Sequence, residues 1–195
     1  MEKKYRLTDE TIEFSGVKLH RIEALKDLSV VKKGDKGGFV QSEKKLSHDG
    51  DCWIFGNANV FGDANVFGSA KVYGDANVFG DAYVSGNANV YGSAKVSGDT
   101  TIRGFAKVSS HSDYIVFKNW WSSGRYFTWT RSDNMWSVGC FYGTGKELIE
   151  KAYKDSEVSG REYKRVVEYV ESILRDENPN EDIFTLKTYD YGAMD

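Results

Sequence analysis

Residues 62–80 read GDANVFGSAKVYGDANVFG: a glycine returns every six residues, followed by a polar residue, Ala or its equivalent, a variable residue, Val and an aromatic ring. The hexad runs without insertion from Gly50 to Ser109, and so regular a period marks a solenoid. Within each unit Ala and Val stand two apart, as in Ala58 and Val60 or Ala106 and Val108, so an extended chain puts both on one face. The glycine and its polar neighbour, as in Gly62-Asp63 and Gly86-Asn87, have the backbone latitude that a corner requires. Six residues per side predicts a triangular parallel β-helix with eighteen residues per coil, and sixty residues then give about 3.3 coils.

Eighteen-residue stacking sorts the outward positions into columns with rungs about 4.8 Å apart. One column carries Phe55, Tyr73, Tyr91 and Ser109, a second Phe61, Phe79 and Ser97, a third Phe67, Ser85 and Arg103. Contiguous outward aromatics mark an interface, so Phe61, Phe79, Tyr73 and Tyr91 are the expected oligomer contacts, unless the terminal segments fold back over them. Asn59 and Asn77 are placed to form a side-chain amide ladder on the same surface. Asp63, Asp81 and Asp99 stack at one corner, where turn hydrogen bonds explain them better than a bound cation does. No metal site is assigned.

Residues 50–109 resemble the left-handed β-helix of hexapeptide-repeat proteins, whose members include acyltransferases and carbonic anhydrases. The upstream GDKGGFVQSEKKLSHDGDCW (34–53) and the downstream SSGRYFTWTRSDNMWSVGCFYGTGKELIEKAY (122–153) are similar to flanks of prophage-encoded proteins built on this repeat. The resemblance implies a homotrimer.

The flanks follow their own patterns. TIEFSGVKLHRIEAL (11–25) reads as two short strands with a turn at Ser15-Gly16, suited to capping the exposed edge of a solenoid. The eight-residue step from Leu46 to Ile54 predicts an irregular first coil. DYIVFK, RYFTWT and MWSVGCF read as a three-stranded meander. Two helices follow, each opened by the S/T-x-x-E form of a capping box, Thr144 to Glu147 and Ser159 to Glu162. The fold class is therefore mainly β, a left-handed parallel β-helix with a small C-terminal α+β module. Its expected divisions are an N-terminal cap and irregular first coil (1–49), the repeat (50–110), the α+β module (111–176) and an acidic tail (177–195).

A net charge of -3, spread along the chain, lacks the basic footprint of a protein that holds long nucleic acid. The charged start MEKKYRLTDE and the absence of a long apolar run predict an intracellular, cytoplasmic protein with no membrane partner. Cys52 and Cys140 have no CxxC spacing and are expected reduced and buried.

The loop GTGK fails as a phosphate-binding P-loop, because position 140 is Cys and Glu147 follows Lys146. It keeps a helix start at which Thr144, Gly145 and Lys146 can meet an anion. The three histidines, His20, His48 and His111, are too scattered for a shared metal. The remaining cluster is WWSSGRYFTWTRSDNMW (120–136). On an extended strand Arg125, Phe127, Trp129 and Arg131 share one face, with Trp120, Trp121 and Trp136 near in sequence, an arrangement suited to a base and its phosphate. The competing reading of these rings is strand core.

These features predict a non-catalytic, oligomeric binding protein without a cofactor. Its expected partners are itself, as a homotrimer, and a small anionic nucleotide-like ligand or a host defence protein. The prophage resemblance implies an antagonist of host defence. The alternatives are a hexapeptide-family acyltransferase using His48 or His111 as base, and a structural or virion spacer.

Overall fold

Each hexad offers only a short Ala-x-Val stretch between corners, so the strands are two residues long. The computed structural model describes residues 2–177. Every hexad glycine from Gly50 to Gly104 takes the left-handed conformation, with φ between 58° and 72°. One face stacks β3 (Lys36–Val40), β5 (Asn59–Val60), β8 (Asn77–Val78) and β11 (Lys95–Val96). A second stacks β4 (Trp53–Ile54), β7 (Lys71–Val72), β10 (Asn89–Val90) and β13 (Lys107–Val108), and the third β6 (Asn65–Val66), β9 (Tyr83–Val84) and β12 (Thr101–Ile102). All pairings between coils are parallel, with Asn59 opposite Asn77 and Asn77 opposite Lys95, the expected step of one coil. The third and fifth residues of every unit, Ala and Val except for Cys52 and Ile54 in the first unit and Thr100 and Ile102 in the ninth, point inward and are sealed from solvent.

The result is a β-solenoid of about four turns, more than the repeat alone predicts. The extra turn is the irregular first coil. Phe39 pairs with Asn59 and Leu46 bridges Val66, whereas Ile54 pairs with Val72. The two surplus residues thus fall between Leu46 and Ile54, where the sequence shows an eight-residue step.

Both ends of the stack are closed by the chain's own polar groups, as unpaired strand edges require. At the start, β1 (Tyr5–Phe14) and β2 (Val17–Ala24) form an antiparallel hairpin that extends the first face through β3. Lys4 is fully buried, and its Nζ donates to the carbonyls of Gly50 (3.1 Å) and Cys52 (2.9 Å). Tyr5 donates its hydroxyl to Glu43 O (2.7 Å) and Leu46 O (3.0 Å) and packs edge-on against buried Trp53.

At the other end, a four-stranded antiparallel sheet of β14 (Tyr114–Lys118), β15 (Tyr126–Thr130), β16 (Met135–Val138) and β17 (Phe141–Gly143) meets the last coil. The backbone amides of Thr101 and Lys107 donate to Thr128 Oγ1 (3.0 Å) and Ser132 Oγ (2.7 Å). The expected meander has a fourth strand because MWSVGCF breaks at Gly139, whose φ of 56° opens a two-residue hairpin between paired Val138 and Phe141. That turn also exposes Cys140, against the expectation that both cysteines are buried; Cys52 is buried.

The chain divides into compact units after Thr144. The second holds α1 (Gly145–Asp155) and α2 (Glu157–Glu177). One stripe of α2 is buried, through Tyr163, Val167, Val170 and Leu174. The second helix starts earlier than its expected box: Ser156 Oγ accepts from Ser159 N (3.1 Å), and Ser159 lies inside the first turn. Gly160 lets the helices approach closely, since a Cβ there would lie 2.2 Å from the Tyr153 ring. All of the expected acidic tail except Glu177 lies outside the described residues.

Corner glycines should differ in tolerance according to what faces them. At Gly62 (φ 69°) a Cβ would stand 2.8 Å from Gly80 N, whereas at Gly98 (φ 65°) nothing lies within 4 Å. Gly98→Ala is expected to cost only the left-handed backbone penalty, about 1–2 kcal/mol. Gly62→Ala adds a clash between coils and should lower the unfolding temperature distinctly further in a calorimetric comparison.

Candidate functional site

The aromatic cluster separates into core and surface along β15. Strand alternation turns Phe127 and Trp129 to one face, where they are 1% exposed, and Trp136 on β16 joins them at 2%. Trp129 pairs across the sheet with Trp136 and donates Nε1 to Asn134 Oδ1 (2.8 Å). These three rings are sheet core, and none presents a face to a ligand. The expectation of a stacking platform is corrected for them. The physical cause is the packing of Phe117 from β14 against Phe127 and Trp136, with ring centroids 5.4 and 5.9 Å away.

The two arginines expected to flank the rings part company. They lie at opposite ends of five-residue β15, about 20 Å apart at strand rise. Arg131 covers Trp129 with its guanidinium 5.7 Å from the ring and donates Nε to Ser112 O (3.0 Å). Arg125 is exposed, at the base of a turn closed by the Asn119 amide donating to Arg125 O (2.8 Å). The tip of that turn holds Trp120, 75% exposed, set edge-on against half-buried Trp121.

Arg125 is joined by a residue that sequence reasoning placed only in an outward column. Arg103 leaves the last coil and donates Nη2 to Gly139 O (2.6 Å), with its guanidinium carbon 6.0 Å from the Tyr142 ring. The Arg125 Nη1 lies on the same glycine, 3.4 Å from where a Cβ would stand. Arg103 is half-buried, its Nε is sealed from solvent with no hydrogen-bond partner, and neither arginine has a carboxylate partner among the described residues. Burial lowers the Arg103 pKa, opposed by Tyr142 and Cys140. Nearby Asp133 is engaged elsewhere, accepting from Thr130 Oγ1 (2.6 Å) and Tyr142 Oη (2.9 Å), and burial pushes its pKa up. Two guanidiniums thus converge on the Gly139-Cys140 turn without a counter-charge. The only signal for this in sequence was the single departure from an aromatic or Ser at the sixth hexad position.

The other candidate residues are dispersed. Thr144 ends the first compact unit, while Gly145 and exposed Lys146 open α1 in the second. Phe61 and Phe79 stack (5.1 Å, 5°), but the N-terminal hairpin covers them: Phe14 meets Phe61 at 5.7 Å, and Phe61 is 8% exposed. That coverage by the chain's own terminus corrects their placement at an oligomer surface. Tyr73 and Tyr91 stack (5.2 Å, 11°) and remain half-buried on the outside. The amide ladder forms, with Asn59 Nδ2 donating to Asn77 Oδ1 (3.0 Å) and Asn77 Nδ2 to Asp75 O (2.8 Å). Asp63, Asp81 and Asp99 do not assemble as ligands; no cluster of three or more metal-binding side chains occurs among the described residues. His48 stacks on Tyr5 (4.4 Å) and its Nδ1 accepts the Lys4 amide (3.3 Å), part of the N-terminal cap. No described helix is long and apolar enough to cross a membrane.

No protein-family model and no curated protein matches the chain.

An unneutralised, half-buried cation is a burden on the empty protein. Arg103→Met keeps most of the volume without the charge and should leave the unfolding temperature unchanged or raise it. Thr128→Val, which strips the partner from the Thr101 amide, should reduce the unfolding free energy by about 1–3 kcal/mol. Chemical denaturation of both variants checks the contrast.

Proposed function

We propose that this chain is a non-catalytic, oligomeric binding protein that sequesters a small nucleotide-type anion at Arg103 and Arg125. The observation that carries the reading is the convergence of these two guanidiniums on Gly139 with no carboxylate between them. A phosphate there accepts bidentate hydrogen bonds from a guanidinium and removes the uncompensated charge. Trp120, on the same turn as Arg125, offers an exposed indole on which a base can stack. The similarity of the flanks to prophage-encoded hexapeptide-repeat proteins supports a phage protein acting in the host cytoplasm against a nucleotide-signalled defence.

Self-association belongs to the same proposal. The outward Tyr73–Tyr91 stack, with Phe67 at 41% and Tyr83 at 47% exposure, supplies aromatic surface for a trimer contact.

Native mass spectrometry with ADP-ribose and cyclic oligonucleotides tests both parts. The expected spectrum is a trimer with nucleotide bound, and Arg103→Ala/Arg125→Ala should weaken binding at least about tenfold, about 1.4 kcal/mol, while the trimer persists. Unchanged binding in the double variant removes the site.

A further inference from the structure

A groove lies away from the arginine pair, between the N-terminal hairpin and the amide face of the solenoid. It encloses about 490 Å³. Its floor is Asn57, Asn59, Asp75 and Asn77, outward positions of two successive coils, and its apolar wall is Ile12 and Phe14 of β1. Glu10, Arg21 and Phe39 complete it.

The charges in this lining do not cancel. Glu10 is held between Arg21 Nε (2.6 Å) and Lys36 Nζ (2.8 Å), hydrogen bonds that lower its pKa. Arg21 spends its Nη1 on Gly37 O (2.8 Å) and Gly56 O (3.2 Å) and lies 4.1 Å over the Phe39 ring. Lys36 is not part of the lining, and within it Glu10 and Arg21 are paired with each other. Asp75 is exposed, and its carboxylate has neither a hydrogen bond nor an ion pair among the described residues. Beside it in the same column stands Asn57, its exposed amide likewise unengaged. Lys95, on the rung beyond Asn77, is not part of the lining.

We infer that this groove binds a primary ammonium group carried on an alkyl chain. The ammonium, with three donors and no acceptor, matches the Asp75 carboxylate and the Asn57 Oδ1. The methylene stem lies along Ile12 and Phe14. A phosphate is disfavoured here, because the one unpaired charge it meets is negative. The same ammonium chemistry comes from a free polyamine or from a lysine side chain of a protein partner, and the two sources differ in what flanks the amine.

Titration calorimetry on the full chain, with spermidine in one arm and a short lysine peptide in the other, separates these sources. One arm or both should show binding that weakens with added salt, falls at least about tenfold in Asp75→Asn, and vanishes for the lysine peptide once its side-chain amine is acetylated. Asp75 is exposed, so its variant should fold as the parent does, and nucleotide binding at Arg103 and Arg125 should stay unchanged in it. If neither probe binds, or if Asp75→Asn binds as well as the parent, the assignment is overturned.

Discussion

The structure depends on the contact each coil makes with the coil one turn further on. At strand spacing, whatever occupies a corner meets its own counterpart eighteen residues later, and at Gly62 the nearest atom to a Cβ position is the backbone of Gly80. A corner that must also adopt positive φ leaves glycine as the residue without penalty. Inward positions are constrained too: the triangular interior is filled by Ala and Val, with Ile at the Val position only in the coils at Ile54 and Ile102. The monotony of the hexad is a consequence of self-contact. Chemistry is left to the outward positions and to the segments at the two ends.

Those ends meet one problem with different groups. The first coil presents carbonyls, and Lys4 and Tyr5 supply donors to them; the last coil presents amides, and the hydroxyls of Thr128 and Ser132 accept from them. Each cap then does more than terminate the stack. The N-terminal hairpin folds over Phe61 and walls the groove above Asp75, while the C-terminal sheet brings Gly139 to Arg103. Both candidate sites lie where a cap meets the repeat. A regular solenoid surface offers identical rungs, and only the junction with a non-repeating segment makes one rung different from the next.

What the sequence made legible follows from this division. The hexad disclosed the coil period, the inward face, the irregular step after Leu46 and the Asn59–Asn77 ladder, because each depends on residues at fixed offsets. The turn at Gly139 was a lone glycine in a strand-like run, and the Ser156 cap lost to a better-looking box three residues on. The burial of Phe61, and the meeting of Arg103 with Arg125, are contacts between segments with no common period. No local pattern in the sequence encodes them. The arginine pair expected in Arg125 and Arg131 shared a strand face, but spacing along a strand separates residues as surely as alternation aligns them.

The two sites also share an energetic logic. Within a folded chain, a charge near an interface between segments is ordinarily paired, as Glu10 is with Arg21 and Lys36. Arg103 and Asp75 break that pattern in opposite senses, one cation half-buried without an anion and one anion in a groove without a cation. For Arg103 in particular, burial with an unbonded Nε weakens the empty protein, and nothing in the solenoid requires it, since Phe67 and Ser85 fill the same column on earlier coils. A position that the scaffold would fill more stably with an apolar or small residue, yet fills with an unpaired guanidinium, points to a ligand that supplies the missing charge. Rigid coils hold that guanidinium in place before the ligand arrives, so little ordering cost remains to be met on binding.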